Sequence, residues 1–129
     1  MGCKEDTVNG VVIGHTLLVH QTLKENRELK ELILNSLNKE ENAILDLKDF
    51  WCGGGAGCYD LGYIITQIIY RLGEDYFVEL MSNLCEDQVK DLEFLIYAGL
   101  EYGDNNYDGK MDDKRLENEF PKLYNLLNI

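Results

Sequence analysis

The chain has no apolar stretch near the roughly 20 residues that a membrane-crossing helix needs. Apolar runs such as residues 63–65 and 68–70 are broken within a few positions. The opening Met1-Gly2-Cys3-Lys4-Glu5-Asp6 lacks the basic and apolar segments of a secretion signal, so the expected compartment is the cytoplasm. Gly2-Cys3 before polar residues also matches the end of a trimmed lipoprotein cleavage site. Histidine is scarce: His15 and His20 lie five apart, on different sides of any helix, and no H-E-x-x-H metal motif occurs. Four cysteines are too few and too irregular for a disulfide scaffold, so reduced thiols are expected. Cys52 and Cys58 nevertheless bracket a glycine turn and could meet in space. Positive charge is the other shortage. Twelve Lys and Arg face 24 Asp and Glu, for a net charge of −12. Residues 1–50 hold nine acids and six bases, and residues 51–129 hold fifteen acids and six bases. Such a chain repels phosphate backbones and anionic lipid, so neither nucleic acid nor membrane is an expected partner, and it attracts basic protein surfaces.

What is present is enough for a core. The 129 residues are 45% hydrophobic, with eight Tyr and four Phe, and are expected to fold as one acidic helical domain, residues 1–129. Leu29, Leu32, Ile33 and Leu37 recur at helical spacing and predict a helix over 27–37. Residues 8–25 fit a helix less well, because Val11, Val12 and Ile13 are β-branched and Gly10 and Gly14 interrupt it; a short strand is the alternative. Further helices are expected over 40–51, ended by Gly53-Gly54-Gly55, and over 56–72, ended by Gly73. The helix over 56–72 has the strongest apolar face and should be central, with Gly62 admitting a close neighbour. Others are expected over 74–84, 86–102 and 112–127, with Pro121 kinking the last or starting its second part. The expected fold class is all-α, a compact bundle of six or seven helices. Residues 32–41 echo 79–88 at an offset of 47, so the chain also resembles stacked antiparallel hairpins of a degenerate HEAT-like repeat.

The sharpest local pattern is Asp104-Asn105-Asn106-Tyr107-Asp108-Gly109-Lys110-Met111-Asp112. It resembles the EF-hand calcium loop, with Asp104, Asn106, Asp108 and Asp112 at ligand positions 1, 3, 5 and 9, Gly109 at the turn and Met111 as the apolar anchor. Position 12, where that loop has a bidentate Glu, is Arg115, so any calcium binding should be weak and no cofactor is otherwise expected. The Gly53–Gly57 cluster lacks the Lys-Ser/Thr of a phosphate loop; Cys58-Tyr59-Asp60 follows instead, which points to a tight turn.

No pair of residues singles out a catalytic site, and a non-enzymatic interaction domain is the leading expectation. In size and acidity the chain resembles bacterial immunity proteins, which bind and block a co-encoded toxin. The resemblance is one of profile and covers no motif. It implies a basic protein partner captured by electrostatic steering. Asp87, Asp91, Glu93, Glu101, Asp104 and Asp108 are the candidate acidic contacts, with Trp51 and Tyr59 as aromatic anchors. The alternatives are a calcium-responsive module built on residues 104–115, an enzyme with a Cys or carboxylate site, and a homo-oligomer subunit that uses its tyrosines.

Overall fold

The computed structural model describes residues 3–128 and places eight helices and one two-stranded hairpin among them. Of the Gly2-Cys3 pair, Gly2 lies outside the described residues, and Cys3 is exposed. Among the described residues no helix is long and apolar enough to cross a membrane.

The largest departure from expectation is at the N-terminus. Instead of one helix over 8–25, β1 (Thr7–Val8) and β2 (Val11–Val12) pair antiparallel, Thr7 opposite Val12 and Val8 opposite Val11. Asn9 and Gly10 form the two-residue turn, both at positive φ, which is the Asn-Gly hairpin signal. The β-branched run therefore becomes a strand, and Val8, Val11 and Ile13 enter the core. A six-residue helix α1 (His15–His20) follows. Next comes α2 (Leu23–Leu37), which starts four residues earlier than expected because Thr22 and Glu25 form a reciprocal capping box.

Helix α3 (Ala43–Lys48) is shorter than the 40–51 expected. Helices α4 (Ala56–Leu72) and α6 (Glu86–Tyr102) match their expected bounds, and α5 (Glu74–Ser82) ends two residues early. The expected helix over 112–127 is two helices, α7 (Leu116–Glu119) and α8 (Pro121–Leu127), and Pro121 occupies the first turn of α8, where its missing N–H costs nothing. Residues 112–114 are not helical because the end of α6 captures them, with Asp113 at positive φ. The N–H groups of Asp112, Asp113 and Lys114 donate to the carbonyls of Gly103, Glu101 and Leu100, groups that a helix end otherwise leaves unpaired.

Helix α4 is the central element, with Leu61, Ile64, Ile65, Ile68 and Ile69 all at 1% exposure or less. It packs most extensively against α6. The two meet backbone to backbone: a Cβ on Gly62 would collide with the Leu95 carbonyl, and one on Gly99 with the Gly62 carbonyl. One apolar cluster runs from Val8 through α2, α3, α4 and α6 to Leu123 of α8. The 47-residue echo falls on α2–α3 and on α5–α6, but the two units pack differently. Helix α2 lies against α3, whereas α5 lies mainly against α8.

The expectation of four reduced thiols is also corrected: Cys52 and Cys58 are disulfide-bonded, with Cα atoms 4.8 Å apart, while Cys3 and Cys85 are free and exposed. Gly53, Gly54 and Gly55 all take positive φ and turn the chain back on itself. Gly57 lets the first turn of α4 approach, since a Cβ there would strike the Cys52 carbonyl.

Candidate functional site

Helix α6 carries Asp87, Asp91 and Phe94 at three-to-four spacing on an exposed side, and two turns after Phe94, past the buried Ala98, it exposes Tyr102 with Glu101 beside it. Asp87, Asp91 and Glu101 are exposed and Glu93 is half-buried. Tyr59, in the first turns of α4, joins them: its ring stacks on Tyr102 at 4.5 Å between centroids and lies 6.4 Å from Phe94. Phe94 is 54% exposed. The result is an aromatic strip set among carboxylates at the junction of α4 and α6.

Trp51, the other predicted anchor, stands apart from this cluster. It is 67% exposed and lines a separate hollow with Thr16 and His20. Cys52 borders both that hollow and the one beside Phe94, so the disulfide separates the two faces. Phe94 and Tyr102, at 54% and 43% exposure, are not among the site residues expected from sequence. The spacing of Phe94 three residues after Asp91 is the local signal for the first; Tyr102 joins only through its stacking on Tyr59.

Electrostatics at this face centre on Lys48. Its Nζ lies 2.6 Å from Asp49 and 3.3 Å from Asp91. Desolvation pulls its pKa down, and the hydrogen bonds to Asp49 and Asp91 outweigh that, so the ammonium is held charged above the ordinary lysine value.

The second candidate centre is the loop after α6. Carboxylate oxygens of Asp104, Asp108 and Asp112 all lie within 4.8 Å of one another. Asp104 Oδ1 and Oδ2 accept the N–H groups of Asp108 and Gly109. Partial desolvation acts upward on Asp104, and these backbone donors outweigh it, holding the carboxyl below its usual range. Asp108 accepts from the Lys110 N–H. Asp112 Oδ2 accepts from the backbone and side-chain nitrogens of Asn105, whereas its Oδ1 is buried without a partner. Three carboxylates around one point, one with an unsatisfied oxygen, suit a hard divalent cation.

Two parts of the loop differ from the EF-hand expectation. Asn106 is exposed, and Asn105 is the amide that turns inward, bonding Thr66, Gly99 and Asp112. Met111 does not anchor the loop but is 68% exposed. The anchors are tyrosines instead. The Tyr63 hydroxyl donates to the Asp104 carbonyl at 2.7 Å, and the Tyr107 hydroxyl bonds Gln67 Oε1, which also takes the Val12 N–H. Burial, with Tyr107 and Asp104 nearby, pushes the Tyr63 pKa far up, so it stays a donor.

Asp60, just after the disulfide, is spoken for: its Oδ2 accepts the Leu17 N–H at 3.0 Å and so caps α1 from another helix. Comparison with family models, curated proteins and solved structures finds no match to this chain.

Proposed function

We propose that this chain is a non-enzymatic protein-interaction domain that docks a basic partner on the exposed face of α6, in the manner of an immunity-type inhibitor of a toxin. The observation that carries the reading is the Tyr59–Phe94–Tyr102 strip lying among Asp87, Asp91, Glu93 and Glu101. Exposed aromatics in a patch supply contact area at small entropic cost, and the excess of carboxylates around them over the one exposed cation, Lys90, steers a basic surface toward it. Trp51 becomes a secondary contact on the neighbouring face.

The test is binding of the purified protein to the product of the adjacent gene. Phe94→Ala should weaken binding at least tenfold, mainly through faster dissociation. Reversing Asp87 and Glu101 to Lys should slow association and flatten its salt dependence. A neighbour that neither binds nor harms cells overturns the toxin assignment. Cytoplasmic residence belongs to the same proposal, and cell fractionation tests it: recovery of the chain with membrane or exported markers overturns it.

A second reading, a weak calcium-responsive loop, is favoured by the partnerless Asp112 Oδ1 beside Asp104 and Asp108. Arg115, in place of the bidentate Glu, still argues for low affinity. Calorimetry at millimolar calcium should register heat and the melting temperature should rise. The absence of both sinks this reading and leaves the docking face untouched.

A further inference from the structure

Where α3, α4 and α6 meet, a surface hollow of about 220 Å³ opens beside Phe94. That is below the roughly 300 Å³ at which sites for whole small molecules begin, and it suits a single long side chain. Its floor is Leu61 and Leu95, at 1% and 5% exposure, and one wall is the Cys52–Cys58 disulfide. Nothing on the floor or that wall carries charge.

The rim does. Lys48 lines the hollow with its side chain only 6% exposed, while its two carboxylate partners, Asp49 and Asp91, are 69% and 64% exposed. Asp91 and Lys48 line the hollow, and Asp49 pairs with Lys48 from outside that lining, so two carboxylates offset one cation there. Asp49 holds Lys48 at 2.6 Å, the shorter of the two contacts, so Asp91 can turn to another cation without leaving Lys48 unpaired. Asp91 Oδ1 has no hydrogen-bond partner among the described residues. The Phe94 ring lies one helical turn further along α6.

Resting on the docking reading above, we infer that this hollow anchors one arginine side chain projecting from the partner's basic surface. The aliphatic stem lies on Leu61, Leu95 and the disulfide, and the guanidinium meets Asp91 beside the Phe94 ring. Arginine suits the site better than lysine, because its weakly hydrated planar head both forks onto a carboxylate and stacks on an aromatic face. Charge complementarity picks out the occupant: Asp49 already neutralises Lys48, which leaves the exposed Asp91 carboxylate for a cation from outside.

Titration of the isotope-labelled full chain, disulfide intact, with N-acetyl-arginine methylamide at 150 mM NaCl tests this by amide chemical shifts. The matching citrulline and lysine compounds are the controls. Saturable shifts are expected at residues 48, 52, 58, 91, 94 and 95, at least fivefold weaker with citrulline and weaker with lysine. Asp91→Asn and Phe94→Ala should each remove most of the response while leaving the remaining amide spectrum, and hence the fold, unchanged. Equal response to citrulline overturns the inference, as does a response scattered over the acidic surface and indifferent to Asp91→Asn. Either result leaves the docking face standing on its own binding assay. Conversely, a probe seated in the hollow of a protein that ignores its gene neighbour supports the anchor and removes only the assignment of the partner.

Discussion

Gly62 and Gly99 show how much of this fold hangs on single atoms. Each lies where a Cβ would meet the main chain of the other helix, and main chain cannot rotate away as a side chain can. Gly62→Ala gains up to about 1 kcal/mol of helix propensity but forces α4 and α6 apart, at an expected net loss of about 2 kcal/mol. Urea denaturation checks this, and an unchanged midpoint would mean that the helices can slide. Asp60 is a second such residue. Burial raises its pKa, partly offset by the N–H groups of Leu17 and Thr16 and by His15. An acid whose folded pKa is raised contributes stability that is fully present below its unfolded pKa and is lost as pH rises through the folded one. The stability difference between wild type and Asp60→Asn should therefore shift against wild type as pH rises from about 4. A flat difference would show that Asp60 does not titrate in this way. The acidic loop was legible at this scale because ligand spacing is local. That Asn105 and not Asn106 turns inward was not, since Thr66 and Gly99 supply its partners across the fold.

At the level of elements, the disulfide joins the loop after α3 to the first turn of α4 across a segment in which three successive glycines have positive φ. Closing so short a loop removes about 2 kcal/mol of unfolded-state freedom. Replacing both cysteines by serine should cost about that much and speed amide exchange in the first turn of α4, where Tyr59 sits; unchanged exchange there would show that packing alone holds the turn. The hairpin makes a related case. Gly10 has φ +86°, and the Arg71 guanidinium lies against it and donates to the Asn9 carbonyl. Gly10→Ala should cost about 1 kcal/mol or more, read as a lower melting temperature. The helices α4 and α6 could be bounded from sequence because an amphipathic stripe closed by glycine is a local signal. The helix expected over 112–127 was not, because the carbonyls that draw residues 112–114 out of the helix belong to the end of α6 and its cap, Gly103.

Across the whole molecule, a net charge of −12 on 129 residues stores self-repulsion that salt should relieve. Three of the six ion pairs among the described residues are well exposed on both sides, and no more than six face a net charge of −12, so screening should help more than it harms. Raising NaCl from 20 to 500 mM should lift the melting temperature by a few degrees, while the same salt slows association with a basic partner. A fall in melting temperature would mean that the ion pairs outweigh the repulsion. The amino-acid order was enough to settle helix content, acidity, the central place of residues 56–72 and the spacing of Asp104, Asp108 and Asp112, because periodicity, charge and short-range spacing are properties of neighbours in the chain. Only the folded chain decided that Cys52 and Cys58 bond, that Tyr59 joins Phe94 and Tyr102 while Trp51 does not, and that a small hollow opens beside Asp91. Each of those depends on how α3, α4 and α6 approach one another. That approach is governed by contacts among residues far apart in sequence, such as Gly62 and Gly99, which no local pattern encodes.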